Sequence, residues 1–168
     1  MARGDDEFVT FARASQARLQ QAAYLLTGDR YQAEDAAQAA LVKTYAAWSR
    51  VRRDDAYAYA RRVLANLITD RWRRPVKEYA TEVLPDRADP RDLAENVARK
   101  RALIAALRTL TEKERAVVVM RHYLDVSEAD VARDLRLTLP SVKNLNLRGM
   151  AKLRAVLDPE SARSGRFS

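Results

Sequence analysis

Apolar residues return every three or four positions along most of this chain, and residues that would break the rhythm are scarce. A recurrence near 3.6 lays one apolar stripe along a helix, whereas a half-buried strand needs strict alternation. Only 4 glycines and 5 prolines punctuate 168 residues. Three of those prolines, Pro75, Pro85 and Pro90, crowd one stretch where the periodicity fades. Proline ends helices because it lacks an N–H and restricts the residue before it. The expected fold is therefore all-α, with helical domains at 7–75 and 92–158 and a flexible linker at 76–91.

Within the first domain, a helix is expected from about Glu7 to Leu26, with Phe8, Phe11, Ser15, Leu19, Ala22 and Leu26 inward. Gly28 suits the left-handed closing position, and Asp29 can cap the next helix. That helix, about Arg30 to Trp48, would turn Ala33, Ala37, Ala40, Leu41, Thr44, Tyr45 and Trp48 inward. A basic loop, Arg50-Val51-Arg52-Arg53, leads to a third helix ending near Arg74, with Tyr59, Ala60, Val63, Leu64, Leu67 and Ile68 facing the core. In the second domain Leu93, Val97, Ile104, Leu107 and Leu110 form one stripe. Thr111 and Glu114 have the spacing of a capping box, ahead of Val117, Val118, Met120 and Leu124. Ser127 starts a short helix ending near Leu135. After a three-residue turn, Thr138 can cap a last helix with Pro140 in its first turn and Val142, Leu145, Met150, Leu153 and Val156 inward.

Composition excludes several chemistries. With no cysteine, disulfides, thiol catalysis and cysteine-bound metals are ruled out, and a single histidine leaves little for a metal cluster or a Ser-His-Asp triad. The carboxylate pairs Glu34-Asp35 and Asp54-Asp55 are adjacent in sequence. On a helix such neighbours diverge by about 100°, so neither converges as an acid–base dyad. There is no glycine-rich phosphate loop. No enzyme, catalytic residue, cofactor or metal is expected. No apolar run approaches a membrane span and the amino terminus shows no secretory pattern, so a cytoplasmic protein without membrane insertion is expected.

The charge points to an anionic partner. The formal net charge is +8, with 13 Lys and Arg against 9 Asp and Glu in residues 1–75, 5 against 6 in 76–100, and 13 against 8 in 101–168. Two basic blocks flank a slightly acidic connector, which suits nucleic acid at two places. The last two helices have helix-turn-helix spacing, with Ser141, Lys143, Asn144 and Arg148 placed for base or phosphate contact, although an ordinary helical hairpin has the same outline. From Arg50 to Arg74 there are eight arginines and three aspartates, interleaved with Tyr57, Tyr59 and Trp72. Arginines hold phosphates while aromatic faces stack on unpaired bases; the same aromatics can equally fill a core.

Two stretches resemble a known family. Ala33-Glu34-Asp35-Ala36-Ala37-Gln38-Ala39-Ala40-Leu41-Val42-Lys43-Thr44-Tyr45 is similar to the AEDLVQETFLRAW signature of extracytoplasmic-function sigma factors of the sigma-70 family. Tyr59 to Arg74 resembles the promoter-reading helix that follows it. Val126 to Arg154 resembles the helix-turn-helix of the second sigma domain, LSEAEIAEVLGCSVGTVKSRLSRGLARLR. The resemblance spans Phe8 to Leu157. It implies a transcription initiation factor built from sigma domain 2 (a three-to-four-helix bundle) and sigma domain 4. It implies docking on core RNA polymerase, on its beta and beta-prime subunits, through Asp35, Gln38, Leu41, Val42 and Lys43. It implies −10 recognition and melting by Arg52, Arg53, Tyr57, Arg61, Arg62, Asn66, Arg71, Arg73 and Arg74. It implies −35 recognition by Ser141, Lys143, Asn144, Leu147 and Arg148. Promoter DNA and core polymerase are the implied partners, with an anti-sigma factor a further one. The chain departs from the pattern at Ala39, where the family has glutamate, at Arg136, where it has the turn glycine, and at Leu145, Asn146 and Leu147 in the last helix. A free-standing helix-turn-helix regulator and a sigma-like adaptor with weakened DNA readout are the competing functions.

Overall fold

Two compact units, Met1–Lys77 and Glu78–Ser168, divide the chain. The computed structural model describes residues 3–73 and 94–160, and all regular structure among them is helical. The expected linker at 76–91, Arg74, Leu93 and the tail from residue 161 lie outside the described residues.

The first unit packs α1 (Arg3–Thr27) against α2 (Arg30–Ala46) and α3 (Ala56–Arg73). Gly28 closes α1 at φ 67°, its N–H donating to the Tyr24 carbonyl at 2.8 Å. Asp29 caps α2, its Oδ1 accepting from the Tyr31 and Gln32 N–H groups at 2.9 and 3.1 Å. The capping aspartate offsets donors that the first helical turn leaves unpaired. Leu19, Leu26, Leu64 and Ile68 are fully buried, each stabilising the bundle by about 1.5–3 kcal/mol over exposure. Ala22, Ala33, Ala36, Ala37, Ala40 and Ala60 are also buried, and their small side chains let the helices approach closely. Tyr45, expected inward, is instead 48% exposed. A 3-10 turn, Arg53–Asp55, leads into α3.

The second unit contains α4 (Ala94–Arg108), α5 (Glu112–Val118), α6 (Glu128–Leu135) and α7 (Leu139–Leu157), with α7 packed on the other three. The capping box is present in both directions: Glu114 N–H donates to Thr111 Oγ1, and Thr111 N–H to Glu114 Oε1, each at 3.2 Å. Between α5 and α6 the chain widens into a π-helical turn, Val119–Tyr123, where the Leu124 N–H reaches back to the Val119 carbonyl at 3.1 Å. Arg121 holds the segment that follows by donating to the Val126 carbonyl at 2.6 Å. Val117, Met120, Val131 and Val142 form the centre of the core. Gly149 is buried where α7 meets α5; a Cβ there would lie 2.6 Å from Val118 Cγ2. Val156, expected inward, is 48% exposed near the end of α7.

Candidate nucleic-acid interface

On α2 the alanine stripe faces the bundle, which settles what remains outside. Tyr31, Asp35, Gln38, Val42 and Tyr45 are exposed at spacings i, i+4, i+7, i+11 and i+14, so they share one face. Lys43 is exposed about 100° further round. Leu41 does not belong to this surface: it is 7% exposed and packs inside with Ala37, Ala40 and Thr44. Tyr31 and Tyr45 were missed as surface residues, although their spacing to Gln38 and Val42 marks the face. The Tyr45 hydroxyl donates to Asp5 Oδ1 at 2.7 Å, and that hydrogen bond, with the carboxylate charge, raises the phenol above its ordinary value of 10.0.

The basic loop and α3 divide into two roles. Arg53 is engaged internally: its Nε donates to Glu7 at 2.6 Å and its Nη1 to the Trp48 and Val51 carbonyls at 2.9 and 3.2 Å. Its guanidinium lies 4.1 Å from the centre of the Trp48 ring, which itself packs against Phe8 and Phe11. Arg53 therefore clamps the loop to α1. Tyr57 is half-buried with the Arg18 guanidinium 4.4 Å from its ring centre, so one face is already covered. Arg61 is likewise half-buried, and its Nε, like the Tyr57 hydroxyl, finds no hydrogen-bond partner among the described residues. Arg62, Asn66 and Arg73 lie on the opposite, outward face with half-buried Tyr59, at spacings that keep all four together. Tyr59, expected inward, belongs to this face. Arg71 is exposed near the helix end, and Arg52 is exposed in the loop with Asp54 3.6 Å away. Arg73 lies 4.0 Å from Asp70, a pair too exposed to hold the guanidinium from a phosphate. Arg74 falls outside the described residues.

In the second unit, Ser127 caps α6 by accepting from the Asp130 N–H at 3.1 Å, and Thr138 caps α7 by accepting from the Ser141 N–H at 3.3 Å. Arg136 joins the two helices at φ 56°. The left-handed position that the missing glycine would occupy is thus real, and an arginine holds it. Val142, Gly149 and Leu153 turn inward, which leaves Lys143, Asn144, Leu147 and Arg148 exposed along the first half of α7. Ser141 is half-buried and its Oγ accepts from the Thr138 hydroxyl at 2.8 Å, so its first role is in the cap. Asn146, which replaces an apolar residue of the family pattern, bonds the His122 ring at 2.9 Å and ties α7 to the π-helical turn. Behind it Lys152 donates to Glu114 Oε1 at 2.6 Å. These ties hold α7 as a rigid presenter of its outer face.

Among the described residues no helix is long and apolar enough to cross a membrane. Residues 11–77 match the family model "Sigma-70 region 2" and residues 100–153 match "Sigma-70, region 4". The chain is 38% identical over 161 residues to an RNA polymerase sigma-E factor of Streptomyces avermitilis, covering 94% of this chain and 89% of that one. It is 36% identical over 153 residues to the protein of the same name from Streptomyces coelicolor, covering 90% and 86%. In fold it is similar to the sigma factor RpoE solved with the anti-sigma factor NepR from Bartonella quintana, at TM-score 0.70 and 18% identity over 91% of this chain and 98% of that one. With region 2 and region 4 both matched and relatives of this name along almost its full length, the chain belongs to the extracytoplasmic-function sigma factors of the sigma-70 family, regulatory proteins that direct transcription initiation.

Proposed function

We propose that the three exposed faces divide the work of initiation. The α2 stripe of Asp35, Gln38 and Val42, extended by Tyr31 and Tyr45 and flanked by Lys43, docks on the clamp coiled coil formed by the largest subunits of core polymerase. Its mixed apolar and polar surface suits a protein partner. The outward face of α3, Arg62, Asn66 and Arg73 with Tyr59, engages the −10 element as it opens, while Arg52 in the loop and Arg71 near the helix end add positive charge from outside that face. Arginines there would hold the backbone, and Tyr59 offers a ring for an unpaired base, a contact worth roughly 1–3 kcal/mol. The outer face of α7 reads the −35 element as duplex through Lys143, Asn144, Leu147 and Arg148.

The observation that carries this reading is that each unit presents an exposed cationic helix face, on α3 in the first unit, which also carries the mixed α2 stripe, and on the second helix of a helix-turn-helix in the second. In this reading the protein works in the cytoplasm, with the polymerase. An anti-sigma factor is a further proposed partner, supported by the complex in which the Bartonella protein was solved. The test is reconstitution with core polymerase followed by permanganate footprinting on promoter DNA. Polymerase binding with reactive thymines around the start site supports the proposal. Binding without melting points to an adaptor, and binding to duplex DNA alone points to a free-standing regulator.

A further inference from the structure

Leu147 is 68% exposed, more than any other large hydrophobic residue among those described. Its place on α7 is not peripheral. The buried residues Val142, Gly149 and Leu153 define the inward side, and at about 100° per residue Leu147 falls nearly opposite them. Asn144 lies one turn before it, while Lys143 and Arg148 flank it on either side of the same outer face. A lone leucine between two cations and an amide is too small for the core of a protein interface, which gathers apolar side chains into a contiguous patch. The arrangement does match the cross-section of a major groove: phosphates at the rims, and inside them the only apolar group on a base edge, the thymine methyl.

We propose that Leu147 contacts a thymine 5-methyl in the −35 duplex while Asn144 bonds an adjacent adenine at N6 and N7, so that the chain prefers an A·T-containing step at this point. The inference rests on the reading of α7 as the duplex-binding helix. Leucine offers no hydrogen bond, so a G·C pair beneath it would lose water from N7, O6 or N4 without replacement, which turns the same contact into discrimination. Residues three apart on a helix are separated by about 4.5 Å along its axis, close to the roughly 3.4 Å spacing of successive bases, so Asn144 and Leu147 address neighbouring positions. Asn146 does not compete for this surface, because His122 holds it on the flank.

The experiment uses holoenzyme assembled from the full chain and core polymerase. A duplex library randomised upstream of a fixed −10 region is selected for binding, and each thymine of the enriched upstream element is then replaced by deoxyuridine, which removes only the methyl. At one thymine this change should weaken binding by about fourfold, the worth of one buried carbon group. Leu147→Ala should bind the thymine and deoxyuridine duplexes equally. Leu147 is exposed, so the variant keeps its fold. No deoxyuridine effect at any thymine, or the same effect in both proteins, overturns the proposal. If Lys143→Ala and Arg148→Ala still weaken binding in that case, the duplex reading of α7 survives without the methyl contact. If none of the three substitutions matters to DNA but Leu147→Ala loses core polymerase, this face binds protein and both readings fail.

Discussion

Gly149→Ala adds a single methyl group where α7 closely approaches Val118 and Leu110, and two opposing effects set its outcome. Alanine is the better helix former, by about 1 kcal/mol in a helix interior. Against this, the new carbon would lie 2.6 Å from Val118 Cγ2 and 3.3 Å from Leu110 Cδ2, where ordinary carbon contacts are about 3.5–4.0 Å. Val118 is 4% exposed and β-branched, so in a helix it has one strongly favoured rotamer and cannot swing aside. Overpacking of this kind costs about 1–3 kcal/mol, which leaves a net destabilisation of about 1 kcal/mol. In a unit of this size that corresponds to a fall of about 4–8 °C in Tm. Urea unfolding of the full chain can localise the effect, because both tryptophans, Trp48 and Trp72, belong to the first unit. The fluorescence midpoint should stay in place while the part of the circular-dichroism transition due to the second unit moves to lower urea. Val118→Ala in the Gly149→Ala background should recover stability relative to the sum of the single changes. A Gly149→Ala protein as stable as the parent, or strict additivity of the pair, would refute the claim that steric contact outweighs helix propensity here.

Arg136→Gly should stabilise the second unit by about 0.5–1 kcal/mol, because a left-handed arginine is strained by about 1–2 kcal/mol and glycine's greater freedom in the unfolded chain returns part of that; a lower urea midpoint would count against it. Burial pushes the Glu114 carboxyl upward, but hydrogen bonds from Lys152 and Thr111 outweigh it and hold the group below its ordinary value of 4.5. A depressed folded value means that its stabilisation is complete above pH 4.5 and is lost as pH falls through the lower folded value, so Glu114→Gln should flatten the acid side of the stability–pH curve. Lys152→Ala leaves that 3%-exposed carboxylate without its cation and should cost about 1–3 kcal/mol in urea unfolding at pH 7. Lys143→Ala should weaken promoter binding and, where the lysine contacts a phosphate, reduce the salt slope of log K by about one, as read by binding titrations across salt concentrations.

What could be read in advance follows the range of the forces involved. Gly28, Asp29, Thr111, Ser127 and Thr138 act within four residues of themselves, and each stands where its local chemistry places it. The stripes of α1 and α5 were legible for the same reason. Side chains whose neighbours come from another helix were not. Tyr45 fits the inward spacing of α2 but turns outward to Asp5, forty positions earlier. Leu41 falls within a docking signature yet fills the bundle. Arg53 and Tyr57 match the composition of a nucleic-acid surface, but Trp48 and Arg18 engage them first. The π-helical turn at Val119–Tyr123 has no marker in its own residues, and the Asn146 bond that anchors to it needs the tertiary fold to exist.

The Arg53 clamp has one more consequence. Glu7 sits in the opening turns of α1, while the loop it restrains lies 46 residues further on and leads into α3. Loss of the Glu7 carboxylate would loosen that loop without touching Arg62, Asn66 or Arg73, the residues proposed to face DNA. Glu7→Ala should then keep the helices and the grip on polymerase yet open promoters poorly, a defect easily mistaken for damage at the proposed strand-separating surface itself.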